Sequence, residues 1–281
     1  MTSTLVINKS HYIGNSTYRY NFPQGNVKIG PDSQICLSSL TIPYSWYNIT
    51  TAHSNNQFRV NFPVGGGWIA TTFTLQDGFY TVNDINNFLK TSSINAGLYL
   101  IDASGNFIYF FEVYTNTTFY SNQLVLHPVP TSAEAATLGY TAPVGFTYPT
   151  AKAVPYVLFN LPSLKGMATL LGFSNDLYPS GSQTTTQSFL SDKTPLGSTV
   201  NSIILRSNII NNKLSFPNDI LDSVSINSSF GSNLNYSPNF QKWISLNQGT
   251  YNSIEISLND NNFNTLAMRD SESVITLMIK Q

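Results

Sequence analysis

The 281-residue sequence predicts a mainly β protein, a β-sandwich or jelly roll that carries an inserted α+β segment. Three observations lead there. Short runs rich in Val, Ile, Thr, Tyr and Phe recur along the chain, separated by Gly, Pro, Asn and Asp. Only two segments carry apolar residues at helical spacing. With 41% hydrophobic and 13% aromatic residues, the chain has ample material for a core and lacks the composition of a disordered one.

Near the amino end, STYRYNFP, NVKI and QICLSSLTI read as strands punctuated by turn residues. In the third, Cys36, Leu40 and Ile42 are expected to share one strand face. Cys36 is the single cysteine, so it has no internal disulfide partner and reads as a buried structural thiol. NQFRVNFP and IATTFTL flank VGGG and predict a hairpin. After an Asp77–Gly78 turn, TVNDINNFLK predicts a short amphipathic helix. Thr81 is its N-cap with Asp84 three residues on, a relative of the capping box, and Val82, Ile85 and Leu89 recur at helical spacing with Phe88 beside them.

NFIYFFEVY and NQLVLHP follow as central strands. Phe107, Tyr109 and Phe111, like Phe58 and Phe62 before them, are assigned to core packing. In SLKGMATLLGF, Leu164, Met167, Ala168 and Leu171 make a second helical face, and Gly172 suits a left-handed C-cap. SNDLYPSGSQTTTQSFLSD is the most loop-like segment and a candidate boundary. After Pro195 the strands come regularly: STVNSIILRSN, ILDSVSIN, WISLN, TYNSIEISLND and SVITLMIK. Ile254, Ile256 and Leu258 alternate with Ser253, Glu255 and Ser257, the pattern of a half-buried strand. SVITLMIK is apolar on both faces, with Val274 and Met278 on one and Ile275, Leu277 and Ile279 on the other, which places it inside a sheet. There is no internal repeat.

Only 10% of the residues are charged, against roughly a quarter in an ordinary soluble domain. Polarity comes instead from Asn, Ser and Thr. Such a surface repels itself weakly and suits a protein packed against neighbours better than a freely diffusing enzyme. The 13 basic and 14 acidic residues form no Lys/Arg cluster, so nucleic acid is not expected as the main partner. MTSTLVINKSHY has no basic start followed by an apolar run, and no secretion signal is expected. No apolar stretch nears the ~20 residues of a membrane span. The sequons at Asn15, Asn48, Asn116 and Asn227 read as chance in a chain so rich in Asn, Ser and Thr.

The inventory for chemistry is thin. His11, His53 and His127 stand apart, none paired at metal-ligand spacing. Asp219 with Asp222 and Asp260 with Asp270 are the densest acids, and NDNN reads as a turn in which Asn and Asp bond their own backbone. It lacks the alternating oxygen ligands of a calcium loop. The Gly65–Gly67 run is followed by Trp68 and a strand, not by the Lys and helix of a phosphate loop. No catalytic, cofactor-binding or metal-binding residue is assigned, and no enzyme activity is expected.

Three stretches carry a family resemblance: FTLQDGFYTVNDINNFLK, MATLLGFSNDLYP, and the span from STVNSIILRSNIINNK through NDILDSVSIN, SSFGSNLNYSPNF and YNSIEISLNDNNFNTLAMRDSESVITLMIKQ. Their order, and the ending from Ile256 to Lys280, resembles the minor capsid (penton) proteins of virophages, Polinton/Maverick elements and polinton-like viruses. The resemblance implies a single jelly roll that assembles as homopentamers at the fivefold vertices of an icosahedral virion. It implies as partner a double-jelly-roll major capsid protein of the same virus, about twice this length. It supplies no active-site residue.

The expected architecture is therefore a jelly roll from residues 1–52 plus 196–281, with 53–195 an inserted smaller α+β/β domain pointing away from the shell. The alternative is one continuous domain over 1–281. Counting motivates the division, since the two ends supply about the eight strands a jelly roll needs. A carbohydrate- or receptor-binding β-sandwich is the rival function, motivated by 16 Tyr, 18 Phe and a neutral surface. A secreted hydrolase is disfavoured by the sparse titratable groups.

Overall fold

In a computed structural model the described residues are 2–159, 161, 166–174 and 177–281. They fall into two compact units, one of residues 1–46 and 200–281, the other of residues 47–199.

Eight strands frame the first unit: β1 Thr2–Ile7, β2 Thr17–Asn21, β3 Gln34–Pro43, β4 Ser202–Ser207, β5 Ile220–Ser225, β6 Asn233–Tyr236, β7 Ser253–Asn259 and β8 Val274–Lys280. They form two sheets, in the orders β1-β8-β3-β6 and β5-β4-β7-β2. The antiparallel pairs are nested: first with eighth, second with seventh, third with sixth, fourth with fifth. A long hairpin of eight strands wrapped around a common core gives this connectivity, which makes the unit a single jelly roll. Shorter strands extend the frame: Tyr12–Gly14 beside β2, Ile244–Ser245 beside β3, and Val27–Ile29 paired with Gly249–Tyr251.

The alternation in β7 works as the sequence predicts, because Ile254, Ile256 and Leu258 are fully buried while their neighbours are half-exposed. β8 lies between β1 and β3, so it is an interior strand. Only one of its faces is in the core, however. Ile275, Leu277 and Ile279 are buried, whereas Val274 on the other face is 41% exposed.

The placement of Cys36 differs from expectation. Leu277 faces Leu37 but the next residue, Thr276, faces Ser39, so Ser38 is an extra residue in β3. Such a bulge reverses the parity of the strand beyond it. Ile35 and Leu37 therefore share the core face with Leu40 and Ile42. Cys36 lies on the opposite face, across from Met278, and is still fully buried. Burial pushes its thiol pKa up.

Among the described residues the second unit holds three small sheets. Gln57–Val64 and Gly67–Thr74 form the expected hairpin about Gly65–Gly66, with Tyr156–Leu158 on the far side of Gln57–Val64. Gly65 has φ 54°, a left-handed conformation that glycine adopts freely. Phe111–Asn116, Ser121–Leu126 and Gln187–Leu190 make the second sheet, and Leu100–Ile101 with Phe107–Ile108 the third. Phe58, Phe62, Phe110, Phe111, Phe159 and Phe173 dominate the core that these sheets share with the helices.

Several expectations change here. NFIYFFEVY is two strands in different sheets, broken at Tyr109–Phe110. Phe110 and Phe111 are both buried, and Phe107 is 46% exposed and outside the core. The segment read as most loop-like contains Gln187–Leu190, which pairs with Gln123–Leu126. Three α-helices occur among the described residues, not two: α1 Val82–Asn95, α2 Ser132–Thr137 and α3 Gly166–Leu171. α1 opens on a full capping box between Thr81 and Asp84. α2 does the same with Thr131 and Glu134. α3 ends at Gly172, φ 83°, whose N–H and that of Phe173 both reach the Ala168 carbonyl at 2.8 and 2.9 Å. Leu164, assigned to this helical face, lies outside the described residues.

Candidate interaction surfaces

The acidic side chains singled out in the sequence are each engaged locally. Asp219 receives both donors of the Arg206 fork, with contacts of 2.7–3.1 Å. Asp222, on β5, is nearly buried and accepts from Lys242 Nζ at 2.7 Å and from Tyr236 Oη at 3.3 Å. The Asp222 contact raises the Lys242 pKa. Asp260 accepts from the backbone N–H groups of Asn262 and Asn264 at 2.8 and 2.9 Å, which is the self-bonded turn expected of NDNN. Asp270 accepts from the Glu272 N–H. Each of these carboxylates thus has partners within its own neighbourhood of the fold.

The histidines stay apart. His11 sits in a capping turn with its ring centroid 5.1 Å from that of Tyr20. His53 is exposed, and His127 follows the Ser121–Leu126 strand with Nδ1 3.3 Å from Thr186 Oγ1. Among the described residues no three His, Cys, Asp or Glu side chains gather around a point that could hold a metal ion. No helix among them is long and apolar enough to cross a membrane.

Exposed apolar side chains mark the jelly roll instead. In the β4–β5 connection Leu214 is 100% and Phe216 97% exposed. The connection is nevertheless pinned: Asn212 N–H reaches the Asn218 carbonyl at 2.7 Å, and Ser215 Oγ donates to the Asn212 and Pro217 carbonyls. Two apolar side chains are thus held outward on a bonded turn. The signal in the sequence was N-N-K-L-S-F-P-N, apolar residues inside a turn composition.

The second unit carries a comparable tip and a pocket. Phe119 and Tyr120, 65% and 78% exposed, cap the hairpin between Phe111–Asn116 and Ser121–Leu126. The pocket is an open depression of about 470 Å³ and lies where the chain leaves Leu126, turns through Pro128 and Pro130 and enters α2. Ile108 and Phe110 contribute apolar wall, and Glu134, Tyr140 and Lys152 contribute polar groups. Sequence reading missed this group because its members are far apart in the chain. T-S-A-E, a capping box followed by Ala-Ala, was the one local sign of α2.

No family model matches this chain, and no curated protein does. Solved structures that resemble it along nearly all its length include two from virophages. The mavirus penton protein is similar over 99% of this chain and 96% of its own, at a TM-score of 0.47 and 9% identity. A chain of the Sputnik virophage is similar over 99% of this chain and 97% of its own, at a TM-score of 0.43 and 10% identity. Similarity this distant transfers neither a residue role nor a function.

Proposed function

We propose that the chain is a structural virion protein, a penton or minor capsid protein whose copies close the fivefold vertices of an icosahedral capsid as homopentamers. Its role is assembly, not catalysis. A double-jelly-roll major capsid protein of the same virus is its neighbour in the shell, and the virion vertex is its location.

The observation that carries this reading is the nested eight-strand jelly roll in a chain with only 10% charged residues. The fold serves viral capsids, lectins and cupins alike, so it does not decide alone. Low charge does. Flanks that meet copies of themselves need apolar and neutral hydrogen-bonding groups, and charged groups are depleted at the centre of such contacts. Leu214 and Phe216 supply such an apolar contact on the jelly roll. On this reading the jelly roll builds the shell, and residues 47–199 form an inserted unit.

The test is co-expression with the major capsid protein of the same virus, followed by electron microscopy of the particles. Density for this chain at the fivefold vertices is expected. Closed shells that exclude the chain would refute the reading.

A further inference from the structure

The pocket of the second unit has a composition that selects its ligand. Its floor and walls include Phe110, which is 2% exposed, together with Ile108, Pro128, Pro130 and Leu138. At its polar side Glu134 Oε1 and Lys152 Nζ stand 3.8 Å apart, beyond direct hydrogen-bond distance. The other carboxylate oxygen of Glu134 is already used, accepting from the Thr131 N–H and hydroxyl at 2.9 and 3.0 Å. Those bonds hold the Glu134 carboxyl below the usual range, so it is an ionised acceptor at neutral pH. His127 and Tyr140 add further polar edges on aromatic rings.

Three properties follow. The lining carries one fixed positive and one fixed negative charge, so an anion meets Glu134 and a cation meets Lys152, and a neutral ligand meets neither penalty. A hydroxyl oxygen fits between the two groups at about 2.8 Å from each, accepting from the ammonium and donating to the carboxylate. The accessible aromatic rings are those of Tyr140 and His127, beside Ile108 and Leu138, and such a lining suits the C–H face of a ring. A volume of about 470 Å³ lies within the ~300–1,000 Å³ of small-ligand sites.

We propose that this pocket is a binding site for a neutral sugar, one or two pyranose rings of a glycan, with a ring hydroxyl bridging Lys152 and Glu134. The inference is independent of the capsid role, and a capsid protein could carry the site on its inserted unit.

Saturation-transfer NMR on the full chain tests it, using the methyl pyranosides of glucose, galactose, mannose and N-acetylglucosamine. Glucosamine and a sialic acid methyl glycoside serve as charged comparisons. At least one neutral pyranoside is expected to bind, and Lys152→Gln is expected to weaken it roughly tenfold, the effect of one charge-assisted hydrogen bond. Glu134→Gln can still accept from Thr131 and removes the ionised acceptor, so it is expected to weaken binding while lowering the melting temperature only slightly. Absence of any signal from the four neutral sugars overturns the proposal. So does binding confined to the charged ones, or binding that survives both substitutions in proteins that melt like the parent.

Discussion

Asn48 Nδ2 donates to the Gly197 carbonyl at 2.8 Å, joining residues 149 apart in sequence at the two ends of the second unit. The same amide donates to the Tyr80 carbonyl at 2.8 Å, and its oxygen accepts from the Tyr80 N–H, also at 2.8 Å. Asn55 then caps the Asn48 carbonyl at 2.7 Å. The side chain is 1% exposed, so water cannot replace these partners.

Asn48→Ala removes three hydrogen bonds at once and leaves the part-buried backbone groups of Tyr80 and Gly197 without them, a cost of about 1–3 kcal/mol. Hydrogen exchange should show protection falling in α1 and around Tyr80 and Gly197, while β7 and β8 keep theirs. Unchanged protection at Tyr80 would show that the clasp contributes nothing.

Deleting residues 273–281 should abolish soluble folding. The deletion removes β8 from between β1 and β3 and takes Ile275, Leu277 and Ile279 out of the core. Each such side chain contributes roughly 1.5–3 kcal/mol of burial. It also exposes new sheet edges that invite aggregation. A truncated protein that stays soluble and melts cooperatively would contradict the central position of the strand.

Acid should weaken the second unit. Asp84, Asp102, Glu134 and Asp192 all lie in it, and each carboxyl is held below its usual range. The causes are hydrogen bonds, led by the Thr81 hydroxyl for Asp84, the Asn106 side chain for Asp102, the Thr131 N–H for Glu134 and the Ser174 hydroxyl for Asp192. A carboxylate lowered in the folded state adds stability above its unfolded pKa, and that contribution is lost as pH falls through the lowered value. The groups are exposed, so each effect is small. The denaturation midpoint of the transition in which α1 loses its amide protection should hold from pH 7 to 5 and fall below pH 4. A midpoint that rises over that acid range would contradict the sign.

Much of the jelly roll was legible because its signals are local. The alternation in Ser253–Asn259 and the apolar run Val274–Lys280 need no partner to be read. The Thr81–Asp84 cap and the Gly172 stop were legible for the same reason. The face of Cys36 was not, because the bulge at Ser38 is fixed by the register against β8. Gln187–Leu190 was hidden in a Ser- and Thr-rich segment and becomes a strand only because Gln123–Leu126 offers an edge. The pocket was invisible for a related reason. Its lining spans residues 108–152, and topology alone brings these positions together.

The oligomer formed by the purified chain is the most direct test of an assembly role. A closed ring joins one flank of each copy to the opposite flank of the next, through contacts that charge contributes little to. Neighbouring capsomers add burial and local concentration inside a shell, so an isolated ring can be weak. Analytical ultracentrifugation over a wide concentration range, at low and moderate salt, with negative-stain images of the heaviest species, measures this. The expected result is a monomer–pentamer equilibrium that shifts little with salt and yields five-fold rings at high concentration. A protein that stays monomeric at every concentration, or one whose assembly collapses between low and moderate salt, would contradict it.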